Sequence, residues 1–262
     1  MREREQREQR KRRRRRARRR FLGKLVLAAV FCIAVVFLAR AGWKYLQSRM
    51  EVSPERLAEE GYPESLIELL EKNPETKDFV LNYRNYPGLQ EIDVSGEVKQ
   101  GEIPLFLQWD ERWGYETYGS DFLAVTGCGP TCLSMVLCGL TGESRWNPLE
   151  VARWADEQGY YVEGSGSSWD LMMSGAQSLG LTVSEVIFDE EHIRSTLEEG
   201  TPIICVVGPG DFTTSGHFLV LTGVDDSGKI LLKDPNSRIR TEKARDVEEL
   251  MAQSRNLWAY SY

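Results

Sequence analysis

The chain has 262 residues, 41% of them hydrophobic and 28% charged, with a formal net charge of −7 and five cysteines. That is apolar material enough for an ordinary core and excludes a disordered chain, while so few cysteines exclude a scaffold built on disulfides. The distribution is uneven: residues 1–20 carry thirteen Lys or Arg against three Glu, which leaves −17 for everything from Phe21 onward.

The basic tip, KRRRRRARRR, has no interleaved aromatic residues to stack on bases, so no nucleic-acid partner is expected. It runs directly into FLGKLVLAAVFCIAVVFLARAGW, the 23 residues from Phe21 to Trp43, which at helical rise are enough to cross a bilayer. Lys24 and Arg40 stand where they can snorkel, and Trp43 suits the interface. The expectation is a single-pass membrane anchor over 21–43, with residues 1–20 held in the cytoplasm by their Arg excess and the acidic remainder outside. Two rivals stand beside it. The charge-free stretch from Leu25 to Ala39 is only 15 residues and is followed by Ala39-Arg40-Ala41, the form of a signal-peptidase site, and RRRFL at Arg18 to Leu22 has the form of a twin-arginine signal. Either would yield a secreted protein after cleavage, and in every case the remainder is exported.

Residues 44–100 read as a helical stalk or linker. In YPESLIELLEKNPETKDFVLNY, Pro63 and Pro74 suit first-turn positions, Asn73 suits a cap, and Leu66, Ile67, Leu69, Leu70, Phe79, Val80 and Tyr83 form short apolar faces. A spacer or packing role is expected. SGEVKQGEIP has the composition of a connector, so the compact domain is placed at 101–262.

Helical patterns come first in that domain, over Pro130 to Leu140, Pro148 to Glu157 and Trp169 to Leu179. Strand-like runs follow: TVSEVIF, PIICVVG, HFLVLTGV and KILLKD. Helices before strands predict an α+β domain with N-terminal helices packed on an antiparallel sheet. GVDDSGKI imitates a phosphate-binding loop at Gly223 to Lys229, but Ile230 stands where a magnesium-holding Ser or Thr belongs and a strand follows where a helix is needed, so a hairpin turn is expected.

The chain has two histidines. His192 lies in an acidic helix start and reads as a solvated surface residue. His217 opens a strand after the Gly-rich GPGDFTTSG, where substrate can approach closely. With Asp225 facing Gly228 across a two-residue turn, Val224 faces Lys229, Leu219 faces Asp234 and His217 faces Asn236. Asp234 is then diagonal to His217 on one face, within reach to fix the imidazole tautomer, and Asn236 is the substitute orienter.

Cys128 precedes Gly129 and Pro130 at the positive end of the first helix, which favours a thiolate. Cys132, one turn inside and among Leu133, Val136 and Leu137, reads as a buried core thiol. A bridge between the two across a single helical turn is geometrically strained, and zinc held by both with His217 lacks an evident fourth ligand. No metal or cofactor is expected. Gln108, between apolar and aromatic neighbours, is the candidate side-chain donor to an oxyanion, beside the backbone N–H of Cys128.

LQWDERWG, GCGPTCLSMVL, GHFLVLTGV and LLKDPN, in this order and spacing, resemble the cysteine peptidases that process bacteriocin leaders, family thirty-nine, in stand-alone form. The resemblance covers roughly residues 101–240. It implies a papain-like fold, with Gln108 as oxyanion donor, Cys128 as nucleophile, His217 as general base and acid, and Asp234 as orienter. The transporter that accompanies leader-processing members has no counterpart here, so the resemblance does not carry their cleavage specificity over. Peptide or protein, including cell-wall peptide, is the expected substrate. A cell-wall amidase or acyl transferase would use the same machinery, and a silent surface-binding module would instead depend on an aromatic such as Trp109 or Trp113.

Overall fold

A computed structural model of the protein describes residues 34–40, 42–43 and 52–262. The basic segment 1–20 and most of the expected span 21–43 lie outside the described residues. Residues 34–40 and 42–43 are helical and exposed, and among the described residues no helix is long and apolar enough to cross a membrane.

The chain divides into two units between Gly61 and Tyr62. The first contains α1 (Pro54–Glu59), which starts on a proline and is capped by Ser53, whose hydroxyl accepts the Arg56 N–H at 3.2 Å.

The second unit, Tyr62–Tyr262, opens with α2 (Glu64–Lys72), a 3₁₀ turn at Pro74–Thr76 and α3 (Lys77–Asn82). Asn73 caps the turn, as its sequence suggests, by accepting the Glu75 N–H at 3.1 Å. Leu66, Ile67, Leu69, Phe79 and Val80 are buried, so of the spacer and packing roles these residues perform packing. They belong to the same compact unit as the domain expected from residue 101.

A small hairpin, β1 (Thr117–Tyr118) and β2 (Asp121–Phe122), leads into α4 (Leu123–Thr126) and α5 (Cys128–Thr141). The latter ends at Gly142, whose φ of +76° is the left-handed stop that glycine adopts without strain. Next come α6 (Pro148–Glu157), capped by Asn147, and a second small hairpin of β3 (Tyr161–Val162) and β4 (Gly166–Ser167). The single helix expected over Trp169 to Leu179 is instead a 3₁₀ turn, Trp169–Leu171, and a short α7 (Ser174–Ser178). The chain breaks between them at the buried Met172, whose carbonyl is taken by the Tyr260 hydroxyl at 2.9 Å.

The remaining elements are β5 (Thr182–Glu185), α8 (Glu190–Glu198), β6 (Ile203–Val207), β7 (His217–Val224), β8 (Ile230–Lys233), α9 (Arg238–Thr241), α10 (Val247–Gln253) and β9 (Ser254–Ser261). They build a five-stranded sheet, all antiparallel, in the order β5-β9-β6-β7-β8. Alternation sends Ile204, Val206, Phe218, Val220, Trp258 and Tyr260 into one core with α5 and α6. Ile203, Cys205, Val207, Leu219, Leu221 and Leu257 enter a second core with Ile193 and Leu197 of α8 and Leu250 of α10. The expected packing of N-terminal helices on an antiparallel sheet is therefore present, and a second helical layer covers the other face.

Candidate active site

The α5 helix begins at Cys128, so the N–H groups of its first turn have no carbonyl behind them and their positive end surrounds the thiol. Gly129 is required beside it: a Cβ there would lie 2.4 Å from Ser167 Oγ, and Ser167 is held by the buried Tyr118 hydroxyl at 2.9 Å. Cys128 is half-buried and faces a cleft of about 1110 Å³, which Gln108, His217, Asn236 and Arg240 also line.

His217 starts β7 and is buried. Its Nε2 lies 2.8 Å from Asp234 Oδ1, which leaves Nδ1 as the ring nitrogen available to the Cys128 thiol in the same cleft. Asp234 follows β8 and is fully buried, with Oδ1 also accepting the Asn236 N–H at 2.8 Å and Oδ2 accepting from Arg240 Nε at 2.5 Å. A thiol, an imidazole and a carboxylate thus stand in series, with a guanidinium behind them.

The register that brings them together differs from the expectation near the turn. Asp225 N–H bonds Lys229 O and Val224 pairs with Ile230, so the turn has three central residues rather than two. Asp225 Oδ1 accepts from the N–H groups of Ser227 and Lys229, and Gly228 supplies a φ of +81°, which explains the longer turn. A bulge between Leu221 and Gly223 then absorbs one residue on β7 and restores the expected pairing, with Val220 opposite Lys233. Without that bulge Asp234 would sit one position out of register with His217. Asn236, the substitute orienter, contributes its backbone N–H to Asp234, while its side chain accepts from Asn73.

Burial alone raises the pKa of Cys128, but the hydrogen bond and charge of His217, with the Phe218 and Gly129 N–H groups, outweigh it and the thiol lies below its ordinary value. Burial likewise opposes the imidazolium, yet the Asp234 charge and hydrogen bond, joined by Cys128, bring His217 up to about 10. Asp234 is lowered: burial works against the carboxylate, and His217 and Arg240 overcome it. In contrast burial pushes the thiols of Cys138 and Cys205 up to about 12 and that of Cys132 well above normal. One of the four described cysteines is therefore poised as a nucleophile.

Gln108 is buried and lines the cleft. Its Nε2 donates to Ala124 O at 2.7 Å and reaches Val125 O at 3.5 Å, which fixes the amide plane, while Oε1 is buried without a partner. Trp109 donates to Asn236 O at 3.0 Å, whereas Trp113 is fully buried with its N–H on Leu107 O, a core residue rather than an exposed binding aromatic. His192 stays at the surface on α8. Arg240 has no sequence signature, since nothing sets RIRTEK apart from an ordinary solvated segment except Ser237, which caps α9 by accepting the Arg240 N–H at 3.0 Å.

A thiolate at a helix N-terminus paired with a carboxylate-held imidazolium is the arrangement of a thiol hydrolase. The chain belongs to the Peptidase_C39 like family, whose model matches residues 100–262. No curated protein matches the chain. Among solved structures it is similar to the peptidase domain of Streptococcus ComA, a bi-functional ABC transporter involved in a quorum-sensing pathway. That match has 16% identity, covers 61% of this chain and 98% of that one, and has a TM-score of 0.40. It is also similar to a double-glycine-motif protease from an AMS/PCAT transporter, solved in complex with the leader peptide. There the identity is 21%, the cover 62% of this chain and 92% of that one, and the TM-score 0.40.

Proposed function

We propose that the protein is a membrane-anchored extracellular cysteine peptidase of papain-like type that hydrolyses peptide bonds with Cys128, His217 and Asp234. The observation that carries the reading is the 2.8 Å pairing of His217 with the buried Asp234, in a cleft that His217 shares with Cys128 at the start of α5. The Cys128 thiolate attacks the scissile carbonyl carbon, and the negative charge passes to the carbonyl oxygen, which the Cys128 backbone N–H and the Gln108 amide receive. On collapse, His217 gives its Nδ1 proton to the departing amine, leaving a thioester on Cys128. His217 then removes a proton from water, which attacks the thioester; the acid product leaves and the thiolate–imidazolium pair is restored. Asp234 holds the ring's other nitrogen throughout and offsets its charge. The anchor rests on the Arg-rich tip and the apolar residues 21–43.

Iodoacetamide at neutral pH should label Cys128 ahead of Cys132, Cys138 and Cys205. Cys128→Ala should abolish peptide turnover with the fold retained. Preferential labelling of Cys138 or Cys205 would overturn the assignment, and release of muropeptides from peptidoglycan without peptide cleavage would redirect it to a cell-wall amidase. Immunoblotting of membrane and medium fractions checks the anchor, which a shortened soluble form would refute.

A further inference from the structure

The Asp234 loop is held by residues that precede the family-matched region. Glu75, in the 3₁₀ turn before α3, accepts the N–H groups of Arg238 at 2.9 Å and Ile239 at 3.3 Å on one oxygen and the Ser237 hydroxyl on the other. Asn73 is 4% exposed and its amide nitrogen donates to both the carbonyl and the side-chain oxygen of Asn236, at 2.5 and 3.1 Å. These contacts close on α9, a helix of four residues, which is too short to hold its own geometry. Yet α9 fixes Asp234 twice, through Arg240 Nε on Oδ2 and through Thr241 Oγ1, which accepts the Asp234 N–H at 2.9 Å.

We infer that Glu75 and Asn73 are positioning residues of the active site: they clamp the turn 236–239 so that α9 presents Arg240 and Thr241 to Asp234, and Asp234 in turn holds His217. The inference rests on the thiol-hydrolase reading of Cys128 and His217. It makes the segment 73–76 part of the catalytic apparatus rather than a spacer, although the family model begins only at residue 100.

The groups facing the His217 ring are the Cys128 thiol from α5 and the Asp234 carboxylate after β8; Asp234 faces Arg240 of α9, and the Cys132 thiol lies near Asp234 and Cys128. Loosening Asp234 therefore weakens the imidazolium, and with it the thiolate.

The experiment compares full-length wild type with Glu75→Ala, Glu75→Gln and Asn73→Ala, and with the exposed Glu71→Gln as control. It reads the pH dependence of Cys128 alkylation by mass spectrometry, which needs no substrate, and kcat and KM on a peptide. Glu75→Ala and Asn73→Ala should lower Cys128 alkylation at pH 6 by about tenfold and kcat by about 10- to 100-fold with little change in KM. Glu75→Gln, which keeps one acceptor, should lose less, and Glu71→Gln nothing. Should Glu75→Ala fail to fold by circular dichroism, Glu75→Gln and Asn73→Ala decide. Wild-type alkylation profiles and kcat in these folded variants would overturn the inference alone. A wild type in which Cys128 is not the reactive thiol would sink the catalytic reading with it.

Discussion

Replacing Asp234 by Asn separates the orienting role of this carboxylate from its charge. Both of its oxygens accept: Oδ1 from His217 Nε2 and the Asn236 N–H, each at 2.8 Å, and Oδ2 from Arg240 Nε at 2.5 Å. An amide has one accepting oxygen and one donating nitrogen. Seated with its oxygen toward His217, it turns its N–H₂ on the Arg240 N–H; reversed, it sets the N–H₂ against His217 and the Asn236 N–H. Either way a buried donor goes unpaired, at about 1–3 kcal/mol, and loss of the buried charge brings the destabilisation to about 3–5 kcal/mol. The imidazolium, at about 10 because the Asp234 charge and hydrogen bond, with Cys128, outweigh burial, then loses its main support and its pKa falls. The basic limb of kcat/KM should move to lower pH and kcat should fall about 10⁴-fold. Adding Arg240→Gln gives the new amide an acceptor and should recover about 1 kcal/mol of stability without recovering rate, because the charge stays absent. Asp234→Ala, which removes every acceptor, should be no better than Asn in rate. The assay is kcat/KM across pH on one peptide beside Tm for each variant. A single Asp234→Asn variant within tenfold of wild type with an unmoved basic limb, or a double variant that regains rate, would refute the reasoning.

Gln108→Ala should lower kcat by about 10²–10³-fold with KM nearly unchanged; steady-state kinetics check this, and an equal rise in KM would make Gln108 a substrate-binding residue instead. His217 has a folded pKa raised above its unfolded value near 6.5, so its pairing with Asp234 stabilises fully below about pH 6.5 and that contribution is lost as pH rises toward about 10. Thermal melts across that window should show the decline in wild type and a flatter profile in His217→Gln. Gly129→Ala places a Cβ 2.4 Å from Ser167 Oγ and 2.8 Å from Ser167 Cβ and should cost about 1–3 kcal/mol of stability, read from denaturant unfolding; an unchanged midpoint would show that Ser167 yields.

The elements legible in the sequence are those with a regular apolar period and a marked end. The α6 helix is marked by its first proline, Pro148, and its apolar spacing, and β7 by a two-sided apolar run. The catalytic hairpin was legible for a subtler reason: the expected turn was one residue too short, and the bulge at Thr222 cancelled the difference before the register reached Asp234. The interior strand β9 has no clear sequence signal because its first residues, Ser254 to Asn256, are polar and become a strand only by pairing with β6. The bonds of Asn73 and Glu75 to the turn 236–239 leave no trace for another reason: polar pairings more than 160 residues apart have no period, since periodicity reports which face meets a core and not which donor meets which acceptor.

The same limit bears on where the folding unit begins, and predicts how truncations behave. Residue 100, where the family model starts, falls after α2 and α3 in sequence, yet Phe79 stacks on Tyr115 with ring centroids 4.2 Å apart and its carbonyl accepts the Tyr115 hydroxyl at 2.5 Å. Gly114 lacks a side chain where the Phe79 ring passes, since a Cβ there would lie 2.8 Å from it. Leu66, Phe79 and Val80 are each no more than 2% exposed. Full burial of such a side chain is worth about 1.5–3 kcal/mol, so two or three of them rival the whole net stability of a typical domain, about 5–15 kcal/mol. Removal also unseats Asn236 and α9. A chain beginning at Tyr62 should therefore fold cooperatively and label at Cys128, whereas one beginning at residue 101 should be insoluble or melt far lower with Cys128 no more reactive than a free thiol. Melting and alkylation of the two chains side by side decide, and a chain from 101 with the Tm and labelling rate of the longer one would show that the domain border lies where the family model puts it.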